Sequence, residues 1–345
     1  MLKRKLCEAS FKWKLECKGP LLIKDERWSR FLGTSNYSKK EGYPDCIFMS
    51  RLTQEEINNK VSACKHDPPK LPYFVPGTSI RGPFRARAEM IIRSLVPETA
   101  DGRMAACDPF EQENETTKSC SKLLEELPRN ITPYSRACPA CKIFGCAGLA
   151  SRISFSDADV EEGYSSAYRD MVGIDRFTGG AYKGAGEDGS GALMRFHVLE
   201  GSSFTTTVRL VNFELWHLGL LAYVFRDFRE GLVPIGFGKT KGFGMVQGEI
   251  EKISLTYPDS TDKVEDLFSL ATEEERSVYN LFDHKVEIKP GFKEESKEFT
   301  LYKTYSVNNL DEFWKKTADV FNAYMIHLKE KQAETGAVTA GGNGG

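Results

Sequence analysis

The chain has 345 residues, of which 40% are hydrophobic and 28% charged, a composition typical of a globular protein with one large domain or two. No segment approaches the run of about 20 apolar residues that crosses a bilayer, which argues against a membrane-spanning protein. The net charge of −2 argues against a generic nucleic-acid coat protein.

The charge is unevenly distributed along the chain. Residues 1–100 carry a net +8, residues 101–250 a net −4 and residues 251–345 a net −6. This asymmetry is typical of a protein that binds a polyanion on one face and basic neighbours elsewhere, although chance explains it equally well. The N-terminus has no apolar signal core, and nine cysteines, several of them clustered, favour a metal site in a reducing compartment. We therefore expect a cytoplasmic protein.

The first predicted element is a half-buried strand over residues 11–23, in which Phe11, Trp13 and Leu15 alternate with charged residues. Residues 25–70 are polar and interrupted by prolines, so they are predicted to be a long irregular insertion. Long loops inside compact domains are usually functional or disordered.

A helix is predicted over residues 79–95, after a turn at Pro76-Gly77, with Thr78 or Ser79 as its N-cap. A helix N-terminus with hydroxyl groups and arginines can bind an anion, although a capped helix with solvated arginines has the same sequence. The candidate anion-binding residues are Thr78, Ser79, Arg81 and Arg85.

Five cysteines between residues 107 and 146 carry the strongest chemical signal. Cys138 and Cys141 form a C-x-x-C knuckle, whose spacing lets two thiolates occupy adjacent corners of a zinc tetrahedron. Cys107 and Cys120 can supply the other two, and Cys146 is a fifth candidate that spacing does not exclude. A redox C-x-x-C lacks its thioredoxin-like context here, and buried unliganded cysteines are the plainer alternative. We predict a structural zinc site that orders an insertion over residues 101–147.

Strands are predicted over residues 150–158 and 192–200, the latter continuing into 203–211. Between them, residues 168–191 are rich in glycine and interleave apolar with basic side chains. The apolar ones can stack on bases and the basic ones can contact phosphates, although a flexible hairpin loop is the alternative. The candidates here are Arg169, Met171, Arg176, Phe177, Tyr182 and Lys183.

Residues 232–248, which we call the glycine loop, contain five glycines and two lysines between a predicted helix over 213–229 and a predicted strand over 244–255. Glycine lets the backbone approach a ligand closely, and exposed N–H groups with lysines favour phosphate binding over an ordinary tight turn. The spacing excludes a P-loop and a dinucleotide fingerprint, because Val233 and Lys241 stand where those motifs need glycine. The candidates are Gly238, Lys239, Thr240, Lys241 and Gly242.

From residue 257 the chain becomes acidic, and residues 308–331 are predicted to form an amphipathic helix with a capping box at Asn309 and Glu312. Residues 257–345 are therefore expected to be a helical extension with a flexible tail. The elements before it follow the order β-α-β-β-α-β. This order predicts an α+β, ferredoxin-like (RRM-like) core over residues 1–256.

Five segments resemble, in order, motifs of the RAMP superfamily, the CRISPR-associated RNA-binding proteins. The second of them resembles the end of a four-cysteine knuckle, the third a strand that adds Arg152 to the expected RNA contacts, the fourth a protruding thumb hairpin and the fifth the glycine-rich loop. The matching segments are 76–82, 138–145, 151–158, 174–181 and 236–244.

The resemblance implies a backbone subunit of a type III CRISPR effector, which binds the guide (CRISPR RNA) by its phosphates, presents it to target RNA and contacts other CRISPR-associated subunits, with no membrane partner. Sequence specificity then belongs to base pairing. A non-catalytic structural or capping subunit of the same complex is the alternative, and a zinc-containing nucleotide-binding enzyme a more distant one.

Family members that cut target RNA use an aspartate in the loop between the first strand and the helix that follows Pro76-Gly77. Asp45 matches that position best and Asp25 second, with His66 as the only histidine nearby. Such an aspartate could hold a Mg²⁺ ion that activates the RNA 2′-hydroxyl and neutralises the scissile phosphate. A loop aspartate that caps a turn explains the sequence equally well, so endoribonuclease activity stays open at this point.

Overall fold

A computed structural model describes residues 3–34, 43–64, 67–99, 102–110, 118–182, 193–295 and 300–340. Within these ranges the strands are β1 (Glu8–Cys17), β2 (Phe74–Val75), β3 (Ile153–Phe155), β4 (Ala158–Asp159), β5 (Ser165–Val172), β6 (Leu193–Glu200), β7 (Ser203–Val211), β8 (Val246–Tyr257), β9 (Phe292–Glu294) and β10 (Lys303–Val307). The helices are α1 (Glu26–Thr34), α2 (Gln54–Ala63), α3 (Gly77–Leu95), α4 (Cys120–Glu125), α5 (Pro133–Arg136), α6 (Pro139–Phe144), α7 (Leu215–Arg229), α8 (Leu267–Leu270), α9 (Glu273–Tyr279) and α10 (Leu310–Ala340).

The centre of the protein is a six-stranded antiparallel sheet in the order β3-β7-β1-β8-β10-β9. Alternate side chains of β1 are fully buried, as the period-two pattern predicts. Trp13 of β1 packs edge-on against Phe84 of α3 and Phe225 of α7, at centroid distances of 5.9 and 5.2 Å. Helices α3 and α7 therefore cover one face of the sheet.

The chain reaches this sheet in the order β1, α3, β3, β7, α7, β8, so a long helix follows the first and the third of these four strands. A strand is present where one was predicted over 192–200, but it does not belong to the sheet. The expectation that it forms part of the core was wrong. Leu193–Glu200 pairs instead with Ser165–Val172 in a separate two-stranded ribbon. Gly201, at φ +61°, turns the chain between β6 and β7, so that the two strands enter different sheets.

The first strand is also shorter than predicted, because β1 ends at Cys17 rather than at residue 23. Beyond the Gly19-Pro20 break the chain leaves the sheet, and Leu21 exchanges backbone hydrogen bonds with Leu199 of β6. Residues 18–23 thereby run between the ribbon and the glycine loop.

The insertion over residues 25–70 contains two helices, α1 and α2, where an irregular segment was expected. Trp28, Ile47, Ile57 and Val61 form a small buried cluster between them. The start of α2 carries a capping box in which Thr53 and Glu56 exchange hydrogen bonds. This T-x-x-E pattern is the local sequence signal that indicates the start of α2.

The C-terminal extension is not purely helical, because β9 and β10 add two strands to the edge of the sheet beside β8. The predicted long helix is present as α10, and the side chains of Asn309 and Glu312 hydrogen-bond at its start as expected. Helix α10 packs closely on α7, since a Cβ at Gly219 would lie 2.1 Å from the Thr317 carbonyl oxygen. No helix in the described ranges is both long and apolar enough to cross a membrane.

Candidate nucleic-acid interface and metal centre

The glycine loop folds back on itself and on the segment that follows β1. The N–H of Ile235 donates to the carbonyl of Gly244 over 2.9 Å, and the N–H of Gly244 donates to the carbonyl of Pro20 over 2.8 Å. The N–H of Phe237 reaches the carbonyl of Leu22 over 2.8 Å. These bonds fix both ends of the loop, so its middle projects as a short turn.

Residues 239–241 form this turn, a single 3₁₀ turn between Gly238 and Gly242, which both adopt left-handed φ angles of +77° and +82°. Lys239, Thr240, Lys241 and Gly242 are exposed together. Partial burial lowers the pKa of the Lys239 ammonium. An anion beside it would offset part of the hydration that the ammonium has lost. The turn therefore presents two cations and, at Gly242, an open stretch of backbone to solvent.

The first turn of α3 is built differently from the expectation. Pro76 is the N-cap residue, so neither Thr78 nor Ser79 holds that position, and Thr78 is exposed while Ser79 is half-buried. The backbone N–H of Gly77 already donates to a carboxylate oxygen of Asp157 over 2.8 Å. An anion at the start of α3 would therefore compete with the Asp157 carboxylate for the backbone N–H groups there.

Arg81 and Arg85 point from α3 towards the knuckle. The guanidinium of Arg81 donates to the carbonyl of Phe144, and that of Arg85 donates to the carbonyl of Gly145 over 3.1 Å. Arg85 also forms an ion pair with Glu89 at 2.7 Å. These contacts tie α3 to α6, so Arg85 serves the knuckle in this structure rather than an open surface.

Arg152 lies in the core. Only 8% of the residue is exposed, its Nη1 donates to the carbonyl of Asn212, and its guanidinium stacks over the ring of Tyr134 at 4.1 Å. A phosphate could reach it only if these contacts opened. Arg152 is therefore not part of an exposed surface.

The β5–β6 ribbon ends in an exposed tip. The carboxylate of Asp175 accepts the N–H groups of Phe177 over 2.7 Å and of Thr178 over 3.1 Å, which shapes the turn. The Phe177 side chain is fully exposed at 101%, and Arg176 beside it is exposed as well. Lys183 lies outside the described residues.

The sides of the ribbon are cross-linked by ion pairs. Arg169 pairs with Glu200 across the two strands, and Arg195 pairs with Asp170 at 2.9 Å. The Arg195 partner lowers the pKa of the Asp170 carboxyl. Arg169 is thus exposed, but its charge is partly compensated within the protein.

Asp45 is held beside Arg195, in the half of the ribbon nearer its tip. Its backbone N–H donates to the carbonyl of Arg195 over 2.8 Å, and its carboxylate accepts the N–H of Arg195 over 2.7 Å. Asp45 remains half-exposed, whereas Asp25 is fully buried in an ion pair with Arg27 at 2.7 Å. Of the two candidate aspartates, Asp45 is the one that solvent reaches, and His66 lies outside the described residues.

Strand β6 joins Asp45 to the glycine loop. Cys46 forms a backbone bridge with Phe196, whose ring packs against that of Phe237 at 5.5 Å. The strand register puts the start of β8 and the start of β7 beside the end of β1. The glycine loop, the ribbon base and Asp45 therefore lie towards one end of the sheet, whereas Gly77 at the start of α3 contacts Phe155, which pairs with Val208 nearer the middle.

Four cysteines form a buried group beside α3, where Arg85 and Arg93 contact two of them. The Sγ atoms of Cys107, Cys120, Cys138 and Cys141 all lie within 4.8 Å of one another. Cys107 is 3.6 Å from Cys141 and 3.8 Å from Cys138, close to the edge of about 3.8 Å that follows from Zn–S bonds of about 2.3 Å in a tetrahedron. Cys146 is not part of this group of four.

The surroundings of the four sulfurs suit thiolates. The N–H of Cys141 donates to Cys138 Sγ over 3.4 Å, the N–H of Cys138 donates to Cys120 Sγ over 3.2 Å, and Arg85 lies 3.6 Å from Cys141 Sγ. Hydrogen bonds from the other three thiols, that of Cys120 first, lower the pKa of Cys107, whereas the hydrogen bond with Cys107 raises the pKa values of Cys120 and Cys141. The donor set fits a tetrahedral ion such as zinc with no open position, which is typical of structural sites.

The family model of the RAMP superfamily matches residues 14–247. The chain belongs to the RAMP superfamily. Members of this superfamily are CRISPR-associated RNA-binding proteins, so RNA and CRISPR-associated subunits are the partners that membership implies. No curated protein matches the chain.

In this RAMP protein, sequence reasoning missed two residues that shape the interface. Asp157 occupies the first N–H of α3, and Arg195 holds both Asp45 and Asp170. Asp157 lies in the segment that resembles a family strand, but no local pattern pairs it with a helix 80 residues earlier. Arg195 lies in a strand whose ribbon pairing was not predicted.

Proposed function

We propose that this RAMP protein is a guide-RNA-binding backbone subunit of a type III CRISPR effector complex that presents the guide for pairing with target RNA. The observation that carries the proposal is the position of the exposed turn at residues 239–241 at the end of the sheet from which the ribbon projects. That end offers cations and backbone N–H groups for phosphates, and a separate aromatic tip for bases.

The proposed core is ferredoxin-like. Its support is the sheet order β3-β7-β1-β8, with one helix after the first strand and one after the third. RNA-binding domains of this type carry RNA on the sheet and its adjoining loops. The glycine loop, which leads from α7 into β8, is one of these loops.

The two exposed parts have different proposed roles. Lys239, Lys241 and the backbone around Gly242 hold guide phosphates, with Thr78 and Arg176 as further contacts. Phe177 at the ribbon tip acts as the thumb, stacking on a base or separating two base pairs of the guide–target duplex. The four-cysteine knuckle holds structural zinc and keeps α3 and α6 in place through Arg85.

We further propose that Asp45 contributes to metal-dependent cleavage of target RNA. Its carboxylate would hold a Mg²⁺ ion, which would neutralise charge on the scissile phosphate. The backbone of Arg195 positions Asp45 at the base of the thumb, where paired target RNA would pass.

A non-catalytic structural or capping subunit is the second candidate. The hydrogen bond from the Arg195 N–H to the Asp45 carboxylate favours this second candidate. Through this bond Asp45 links its loop to β6 and so has a structural role without any metal. The two candidates share the RNA-binding surface and differ only in cleavage.

The experiment that separates them uses the assembled complex. The complex is incubated with guide-matched target RNA and Mg²⁺, and the products are mapped. Regularly spaced cuts that require both Mg²⁺ and the Asp45 carboxylate support the catalytic proposal. Stable binding of intact target supports the structural one, and failure to retain a guide of defined length contradicts both.

A further inference from the structure

His197 is a fully buried histidine in the middle of β6, and the proposed function makes no use of it. It lies two residues after Arg195, whose backbone holds Asp45. The two ring nitrogens of His197 contact different parts of the chain, and one of these contacts bears on the placement of Asp45.

The segment that carries Asp45 runs parallel to β6. The Asp45 N–H donates to the Arg195 carbonyl over 2.8 Å, and the His197 N–H donates to the Cys46 carbonyl over 2.9 Å. Cys46 and Phe196 form an isolated parallel bridge between these two hydrogen bonds. An isolated bridge offers fewer backbone hydrogen bonds than a full strand pair, so a further contact strengthens its register.

The His197 side chain supplies such a contact. The Phe48 N–H, two residues beyond Cys46, donates to Nδ1 of His197 over 3.4 Å. In a continued parallel ladder this N–H would donate to a backbone carbonyl of the neighbouring strand. The imidazole therefore holds the far end of the segment, as the backbone of Arg195 holds the near end at Asp45.

The contacts of the ring define its protonation state. Because Nδ1 accepts a hydrogen bond, the neutral ring carries its proton on Nε2 and donates it to Oγ of Ser166 over 2.6 Å. Burial lowers the pKa of His197 to about 3, so Nδ1 remains an acceptor at neutral pH. The protonated Nε2 does not suit a nucleophilic role for Ser166, since it cannot accept the serine proton.

Two tyrosine rings enclose the imidazole. Tyr73 and Tyr168 pack edge-on against His197, at centroid distances of 5.3 and 5.9 Å. Protein cores are closely packed, so the ring cannot turn away from the Phe48 N–H unless these neighbours move. The acceptor at Nδ1 is thus held in a fixed position.

The register of this segment determines which side chain reaches solvent. Asp45 is half-exposed, whereas Cys46, Ile47 and Phe48 after it are buried. A shift by one residue along β6 would exchange buried and exposed positions. Even a displacement of about 1 Å matters for catalysis, because it can lower a rate about 100-fold.

We propose that His197 is a positioning residue, which holds the segment with Asp45 in register on β6 for cleavage of target RNA. This inference rests on the proposed function, because it requires that Asp45 takes part in cleavage. Since His197 is fully buried, it acts through the segment and not on RNA or metal directly.

The test compares His197→Leu with His197→Asn in the assembled complex. Both new side chains branch at Cγ, but only asparagine offers an acceptor oxygen near the position of Nδ1. His197→Leu is expected to lower the single-turnover rate of target cleavage about 100-fold and to leave guide and target binding unchanged. His197→Asn is expected to recover most of that rate. Hydrogen exchange of a peptide that covers residues 45–49 is expected to become faster in His197→Leu and to stay slow in His197→Asn.

Val198→Ala is the control for lost packing, because this buried neighbour points to the opposite face of β6. It is expected to cleave normally. If His197→Leu does not fold, Ser166→Ala is the milder variant, because it removes only the hydrogen bond at Nε2. It is expected to lower the rate about tenfold, and an unchanged rate would contradict the inference.

Three further outcomes would overturn the role of His197 alone, provided that Asp45→Asn abolishes cleavage. These are normal cleavage by His197→Leu, cleavage by His197→Asn that is as slow as that by His197→Leu, and an equal loss of cleavage in Val198→Ala. Normal cleavage by Asp45→Asn would instead overturn the cleavage role proposed for Asp45, and the role of His197 with it.

Discussion

Gly244 and Ile235 close the base of the glycine loop by direct backbone contact. The Ile235 N–H donates to the Gly244 carbonyl over 2.9 Å, and a Cβ at Gly244 would lie 1.9 Å from the Ile235 carbonyl oxygen. Gly242 has a similar left-handed φ angle, but a Cβ there would meet nothing within 4 Å. The two glycines therefore separate the effect of a backbone clash from that of φ strain alone.

Gly242→Ala is expected to lower the free energy of unfolding by about 1–2 kcal/mol, the cost of a left-handed alanine. Gly244→Ala is expected to cost more, because the Ile235 carbonyl must also move. Urea unfolding of both variants measures the difference. Equal losses would show that the loop base is not as tightly closed as the structure has it.

Single cysteine substitutions test the proposed zinc site, and Cys146, which lies outside the group of four, is the control. Purified protein is expected to contain about one zinc ion per chain, and Cys138→Ser to lose it together with much of its thermal stability. Cys146→Ser is expected to keep the ion. Metal analysis and thermal unfolding of the three proteins test this, and retention of zinc by Cys138→Ser would contradict the ligand assignment.

The exposed tip of the ribbon is expected to affect RNA binding without affecting folding. Because the Phe177 side chain is fully exposed, Phe177→Ala should leave the melting temperature unchanged. It should weaken binding of guide–target RNA by about 1–3 kcal/mol, the range for one stacked base. Phe110→Ala, at an aromatic residue that is 88% exposed elsewhere, is the matched control. Equal effects of the two substitutions would remove Phe177 from the RNA contact.

Asp45→Asn tests catalysis with little structural change, because an amide oxygen can still accept the Arg195 N–H. Target cleavage by the assembled complex is expected to fall at least about 100-fold, while guide and target binding persist. Asp259→Asn, at an exposed aspartate of the extension, should cut normally. Unchanged cleavage by Asp45→Asn would rule out a catalytic role.

The stability of the C-terminal extension is expected to depend on pH through His284, and its hydrogen-bond partner Asp266 fixes the direction of this dependence. Burial lowers the pKa of His284, but the hydrogen bond between its Nε2 and Asp266, 3.0 Å long, and the nearby negative charges raise it above 6.5 overall. Its contribution to stability is thus fully present below pH 6.5 and is lost as the pH rises through the folded-state pKa.

His284→Gln is therefore expected to be most destabilising near pH 6 and progressively less so towards pH 9. Urea unfolding of both proteins at several pH values gives this difference directly, and the other histidines cancel in the comparison. A difference that grows with pH would reverse the assigned sign.

The sequence predicted the parts that depend on local pattern. Alternation in β1, the apolar spacing of α7 and the C-x-x-C of the knuckle each reflect one element and its near neighbours, and each is present in the structure. Membership of the RAMP superfamily, inferred from five ordered motifs, is confirmed by the family match over residues 14–247. The guide-binding and cleavage roles stay proposals.

What the sequence could not predict depends on contacts between distant residues. Arg85 and Arg152 were predicted to be surface cations, but one contacts the knuckle and the other lies under Tyr134, because partners up to 60 residues away enclose them. Leu193–Glu200 has the pattern of any strand, and only its pairing with β5 removes it from the main sheet. A one-dimensional pattern contains no information on such pairing.

The most direct test of the central claim is the salt dependence of single-stranded RNA binding by the full chain. Replacing Lys239 and Lys241 by glutamine is expected to weaken binding and to reduce the slope of log affinity against log salt by about 1.4, about 0.7 for each lost phosphate contact. Lys285→Gln with Lys289→Gln, two exposed lysines of the extension, should leave the slope unchanged. An unchanged slope and affinity in the Lys239 and Lys241 variant would contradict the assignment of the glycine loop to RNA.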